Sequence, residues 1–116
     1  GGFFFRAKDP QALSAWYEKH LGIKPASDDE EEPVWQQTAG STVFAPFPQK
    51  SSYFGKADKN WCINFRVRDL DAMVDQLEEA GISVDVDPEY YPNGRFARLT
   101  DPEGNPVELW QPDPEE

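Results

Sequence analysis

The most restrictive feature of the sequence is an internal repeat. Residues 3–9, FFFRAKD, align with residues 63–69, INFRVRD, at a spacing of 60, and residues 21–23 align with 80–82 at a spacing of 59. Self-similarity at a fixed period indicates a duplicated supersecondary unit, and a stacked solenoid usually needs three or more such units. The 116-residue chain is therefore expected to hold two copies of one small unit.

Each copy is predicted to run strand, helix, then two or three strands. The first helix is predicted to begin with Asp9 as its N-cap and Pro10 at its first position, and to end at Gly22. The second helix is predicted to begin with Asp69 as its N-cap. Apolar runs predict strands at residues 3–7, 34–38, 42–46, 61–67, 83–86, 96–100 and 106–110.

These elements predict one α+β domain over residues 1–116. It would contain module one at 1–50, a linker at 51–60 and module two at 61–112, each module having the order βαβββ. One helix covers only one face of a sheet. We therefore expect the two modules to form a cupped mixed β-sheet with the helices on the outside.

Strand alternation predicts which side chains face away from the helices. In residues 98–110, RLTDPEGNPVELW, turn residues separate two apolar runs, and Val107 and Leu109 alternate with Glu108 and Trp110. Glu108 is the main candidate because a carboxylate on a sheet surface could act as a ligand or a base. The alternative is an ordinary acid on a solvated sheet face.

The uncovered surface combines aromatic and polar side chains, as small-molecule clefts do. A dimer interface or plain solvent surface is the alternative. The candidate ligand-binding residues are Phe4, Phe44, Cys62, Asn64, Arg66, Arg98 and Trp110.

The formal net charge of −11 argues against nucleic acid as a partner. Eight of the 22 acidic residues lie at 28–32 and in the tail from Asp113, which we interpret as a solvated loop and a frayed end. Cys62 is the single cysteine, which excludes an internal disulfide and favours a reducing compartment. With no apolar run of membrane-spanning length, we expect a cytoplasmic protein that does not bind membranes.

The repeat, the opening FFFRAKDPQALSAWYEKHLGI and the closing YPNGRFARLTDPEGNPVELWQP resemble one known family. It is the vicinal oxygen chelate superfamily, also called the glyoxalase, bleomycin resistance and extradiol dioxygenase family. The resemblance implies paired βαβββ modules and a homodimer, in some members with modules exchanged between chains.

The resemblance also implies where a divalent metal would bind. The corresponding positions are Gly2, Phe44, Cys62 and Glu108, of which Glu108 alone matches a family ligand. Gly2 and Phe44 have no side-chain donor, and His20, the only histidine, lies on a helix expected to face away. Such ions need several O or N donors, so the inherited metal site is incomplete.

Three functions remain open. The first is metal-free binding of a small organic molecule, with Phe4, Phe44 and Trp110 enclosing it and the polar residues orienting it. The second is a metal-dependent lyase, isomerase or dioxygenase in which Glu108 is the ligand or base. Cys62 could serve as the nucleophile of such an enzyme; the alternative is a buried, unreactive cysteine that only fills space. The third is a structural subunit whose bare sheet face binds another chain.

Overall fold

The computed structural model describes residues 1–29, 31–56 and 58–114. It divides into two compact units, Gly1–Ser51 and Ser52–Glu116. Glu30, in the predicted acidic loop, and Glu115 and Glu116, in the predicted frayed end, lie outside the described residues, as does Ala57 in the predicted linker. None of the described helices combines the length and apolar character needed to cross a bilayer.

The first unit contains helix α1, Pro10–Leu21, with the ends that the sequence predicts. The Asp9 side chain accepts a hydrogen bond from the Ala12 amide at 3.1 Å. Gly22 has a φ of 69°, and its amide donates to the Glu18 carbonyl at 3.1 Å. This left-handed stop strongly favours glycine because other residues meet a Cβ clash there.

The three strands predicted for the first copy are not formed, and these predictions were wrong. Described residues 3–7, 34–38 and 42–46 have no ladder assignment, and the exposed fractions of Phe4, Val43 and Phe44 are 95%, 76% and 92%. A strand is stable only when a neighbouring strand pairs with its backbone and covers its apolar side chains. The described part of this single chain does not provide that pairing.

The second unit forms the predicted strand–helix–strand order, which confirms the α+β class. Its elements are β1 Ile63–Arg66, α2 Leu70–Glu79, β2 Asp85–Val86, β3 Gly94–Thr100 and β4 Pro106–Pro112. The strand order is β1-β4-β3-β2, with β1 parallel to β4 and the other neighbours antiparallel. β1 and β2 are shorter than predicted, whereas β3 starts earlier and β4 ends later.

Helix α2 covers one face of this sheet. It packs against β3 and β4, and Leu70, Leu77, Val107 and Leu109 are fully buried. The Leu70 amide also donates to Gln111 Oε1 at 2.7 Å, which joins the start of α2 to β4. The alternation of β4 therefore places Glu108 on the other face, where the described residues of this unit supply no helix.

A network of side-chain bonds closes the turn between β3 and β4. Asp101 Oδ1 accepts from the amides of Glu103 and Asn105, each at 2.9 Å, and Asp101 Oδ2 accepts from Asn105 Nδ2 at 2.8 Å. Gly104 has a φ of 81°. The turn chemistry that the sequence predicts is confirmed, and the turn determines the register of the two strands that carry the candidate site.

Candidate functional site

A row of polar side chains crosses the uncovered face of the sheet. In the strand register, Asn64 of β1 pairs with Glu108 of β4, and Glu108 pairs with Arg98 of β3. Directly paired residues lie on the same face with neighbouring side chains. Three of the predicted site residues are therefore brought together by backbone pairing.

Both carboxylate oxygens of Glu108 accept hydrogen bonds. Asn64 Nδ2 donates to Oε1 at 2.6 Å, and the Tyr53 hydroxyl donates to Oε2. The Glu108 side chain is half-buried. The site therefore holds an oriented carboxylate between an amide and a phenol.

Arg98 is directed at Tyr53 instead of Glu108. Its Cζ lies 4.0 Å from the centroid of the Tyr53 ring, and its Nη2 donates to the Tyr53 carbonyl oxygen. The Nε atom of Arg98 is buried and finds no hydrogen-bond partner within the described residues. This guanidinium therefore retains one unused donor beside the phenol.

Cys62 lies close to the same guanidinium. Burial raises the pKa of the Cys62 thiol, and the Arg98 charge offsets only part of this rise. A thiol with a raised pKa is mostly protonated at neutral pH and is a poor nucleophile. Cys62 is therefore a neutral side chain that packs next to Arg98.

The pKa of Glu108 is also raised, to about 7, because the carboxylate is desolvated by burial. The two donors favour the ionised form, but the loss of hydration is the larger effect. Glu108 therefore exchanges its proton near neutral pH, where it can act as an acceptor or as a donor.

This shift predicts a pH dependence of folding stability. A raised carboxyl pKa favours the protonated folded state, so stability is complete below the ordinary value of 4.5 and is lost as pH rises through about 7. Allowing for solvent screening, we expect the free energy of unfolding to fall by about 1–2 kcal/mol across this window. In urea denaturation, Glu108→Gln should remove this pH-dependent loss.

The matched control is Glu79→Gln, which makes the same chemical change at the exposed end of α2. That variant should keep the wild-type pH profile. If Glu108→Gln also kept the wild-type pH profile of stability, the raised pKa of Glu108 would be contradicted.

A second row on the same face is mainly aromatic. Trp110 pairs with Arg66 on one side and with Phe96 on the other. The Trp110 and Phe96 rings are stacked with centroids 6.3 Å apart, and the indole Nε1 donates to the Asn93 carbonyl at 2.8 Å. Trp110 is only 7% exposed, so within this unit it is largely a packing residue that offers little surface to a ligand. Arg66 is exposed.

The remaining predicted residues belong to the first unit. Phe4 and Phe44 are almost fully exposed there. Tyr53, in contrast, was not predicted as a site residue, because it lies in a connection without periodicity. The only sequence signal was an aromatic pair, Tyr53-Phe54, within an otherwise polar segment.

Comparison with known proteins gives the family. The family model of the glyoxalase-like domain matches residues 2–110, which is nearly the whole chain. This chain belongs to the glyoxalase-like family. The resemblance to the vicinal oxygen chelate superfamily is thereby confirmed.

Individual relatives of this glyoxalase-like domain come from several bacteria. The anthracycline biosynthesis protein DnrV of Streptomyces peucetius is 36% identical over 96 residues, which are 80% of this chain and 34% of DnrV. The chain thus spans about a third of that relative. The crystal structure of TnmS3, an antibiotic binding protein from Streptomyces sp. CB03234, is 26% identical with a TM-score of 0.59, covering 91% of this chain and 88% of TnmS3.

A third match shows the fold alone. It is a glyoxalase family protein from Bacillus anthracis, 20% identical with a TM-score of 0.57, covering 89% of this chain and 84% of that one.

Among the described residues, the glyoxalase-like domain does not present a donor set that fits the family metal. Gly2 and Phe44 have no side-chain donor, and the oxygens of Glu108 already accept from Asn64 and Tyr53. Across residues 1–29, 31–56 and 58–114, no three His, Cys, Asp or Glu side chains form a group that could hold a metal ion. A divalent ion needs several O or N ligands, so these residues do not fit one.

Proposed function

We propose that this glyoxalase-like domain binds a small organic molecule on the uncovered sheet face of its second unit, using its own side chains instead of a metal. The observation that carries the proposal is Glu108, a half-buried carboxylate aligned with Asn64 and beside Arg98. Convergent polar groups on a partly dry surface are typical of ligand sites.

Two relatives support this function. TnmS3 is described as an antibiotic binding protein, and DnrV as an anthracycline biosynthesis protein. The chain spans only about a third of DnrV, so the activity of that whole protein is not assigned to it. The two descriptions share antibiotics, and antibiotic-type organic molecules are therefore the ligand class to test.

In this proposal the side chains have separate roles. Glu108 and Asn64 orient a polar group of the ligand, and Arg98 and Arg66 meet its electron-rich groups. Cys62 supplies neutral surface beside Arg98. Trp110, stacked on Phe96, is proposed to support this face from beneath the polar row.

The test is direct binding of doxorubicin, an anthracycline, and of bleomycin, measured by fluorescence and by calorimetry. For whichever of the two compounds binds, Glu108→Gln should weaken the affinity about tenfold or more, because it removes a charge-assisted hydrogen bond. Glu79→Gln should leave the affinity unchanged. Binding should survive EDTA. Equal affinities of wild type and Glu108→Gln, or loss of binding in EDTA, would contradict the proposal.

A second candidate function is proton transfer by Glu108. A carboxylate with a pKa of about 7 is matched to general base catalysis at neutral pH. If so, wild type should accelerate exchange of the α-protons of hydroxyacetone in D₂O, observed by NMR, and Glu108→Gln should not. Equal exchange with both proteins would remove this candidate.

We also propose that the chain forms a homodimer through its first unit. Phe4, Val43 and Phe44 are exposed there on segments with strand-like sequences, and a second copy could pair with those segments and cover the side chains. Light scattering should give the dimer mass at micromolar concentration. Phe44→Asp should give the monomer, with Gln36→Asp as an exposed polar control.

For localisation we propose the cytoplasm. The free Cys62 suits a reducing compartment. Fractionation of cells that express the chain would test this, and recovery outside the cytoplasmic fraction would contradict it.

A further inference from the structure

The Tyr53 side chain makes the contacts that a bound ligand would be expected to make. Its hydroxyl donates to Glu108, and the Arg98 guanidinium lies over its ring at 4.0 Å. A carboxylate acceptor and a cation on the ring face together recognise a phenol. The uncovered face thus already holds a phenol, supplied by the chain itself.

The main-chain carbonyl of Tyr53 completes the same pattern. It accepts from Arg98 Nη2, while the buried Nε of that residue has no partner in the part of the chain that the structure describes. A buried donor without an acceptor costs free energy. Arg98 therefore holds one oxygen acceptor through Nη2 and keeps a second buried donor, Nε, that a ligand oxygen could satisfy.

Tyr53 also lies on a segment outside the strand ladder. The segment follows the first unit and precedes β1, and a turn bond from the Gly55 amide to the Ser52 carbonyl at 3.2 Å shapes it. The ladder that holds Asn64, Glu108 and Arg98 in register runs between β1, β4 and β3. Tyr53 can therefore leave without breaking any strand pairing.

We propose that Tyr53 is an internal occupant of the site and that the ligand replaces it. The ligand class is a planar aromatic molecule with a ring hydroxyl at one end, which takes the place of the Tyr53 phenol on Glu108. At its other end a carbonyl oxygen takes the place of the Tyr53 carbonyl on Arg98. This inference rests on the proposed binding function and names its ligand class.

The probes are 4-hydroxyacetophenone and acetophenone, which differ only in the hydroxyl group. Calorimetry or NMR titration would compare wild type, Tyr53→Ala and Tyr53→Phe. Tyr53→Ala should bind 4-hydroxyacetophenone about tenfold more tightly than wild type, because an internal competitor reduces apparent affinity by the fraction of sites it fills. Acetophenone should gain by a similar factor but bind more weakly in both proteins, because it has no hydroxyl group to donate to Glu108.

Three further measurements test where the probe binds and what Tyr53 contributes. Adding Glu108→Gln to Tyr53→Ala should abolish the preference for the hydroxylated probe. In Tyr53→Phe, which keeps the ring and removes only the bond to Glu108, the affinity should rise about threefold. The Asn64 side-chain amide signals should shift on binding. Tyr53→Phe also keeps the test valid if Tyr53→Ala fails to fold.

The outcomes separate this inference from the proposed function. If doxorubicin or bleomycin binds wild type and requires Glu108, but both Tyr53 variants bind 4-hydroxyacetophenone no better than wild type, the function stands and the inference is wrong. If both Tyr53 variants bound 4-hydroxyacetophenone more weakly than wild type does, Tyr53 would be a ligand contact, and the inference would again be wrong. If doxorubicin, bleomycin and 4-hydroxyacetophenone all fail to bind wild type and both variants, the proposed function fails as well.

Discussion

Replacing Gly94 by alanine is expected to lower the free energy of unfolding by about 4 kcal/mol or more. Gly94 has a φ of 127°, and a Cβ there would clash with the Gln111 carbonyl oxygen while lying 2.9 Å from Trp110 Nε1 and 3.0 Å from Pro112 Cα. Two of these neighbours belong to the β4 backbone, which is held by the ladder to β3 and cannot move easily. Urea denaturation would measure the loss.

The matched control is Gly81→Ala. Gly81 also has a positive φ, 85°, but no atom lies within 4 Å of its Cβ position, so only the backbone cost of about 1–2 kcal/mol should remain. If the two variants lost equal stability, the close approach of β4 to Gly94 would be contradicted. A larger loss of stability in Gly94→Ala than in Gly81→Ala would show that the start of the β3–β4 pairing needs a residue without a side chain at position 94. That pairing also aligns Arg98 with Glu108.

Asp101→Ala is expected to cost about 3 kcal/mol. Asp101 is only 4% exposed, and its carboxylate accepts from two amides and from Asn105 Nδ2. Removing a buried acceptor leaves these donors unsatisfied, each at a cost of about 1 kcal/mol or more. Thermal and urea denaturation would both report the effect.

Asp29→Ala is the control for this prediction. Asp29 also accepts a main-chain bond two residues along, from the Glu31 amide at 2.9 Å, but it is exposed. Water can replace that bond, so the loss should be much smaller. Comparable losses in both variants would contradict the importance of burial at Asp101.

Local signals account for the parts of the fold that were predicted correctly. Asp9, Pro10 and Gly22 determine the ends of α1 through hydrogen bonds within a few residues. Asp101 and Asn105 determine the hairpin turn in the same way. Alternation along β4 then placed Glu108 opposite the helix-covered face, because successive strand residues point to opposite sides.

The strands of the first copy were predicted incorrectly because their sequence signal is only a preference. Residues 3–7 resemble residues 63–67 of the second copy, yet within the described part of the chain a ladder forms at 63–66 and none at 3–7. Strand stability depends on that partner, and its presence is not a local property.

The family, the two helices, the hairpin and the side of the sheet on which Glu108 lies could all be predicted before folding, since each depends on residues close along the chain or on a motif. Only the tertiary structure placed Tyr53 against Glu108 and Arg98, 55 residues away from the carboxylate. It also raised the pKa of Glu108, because burial depends on which distant groups exclude water from the carboxylate. Contacts of this kind leave no pattern in the sequence, so the place of Tyr53 in the site and the burial of Glu108 could not be predicted from it.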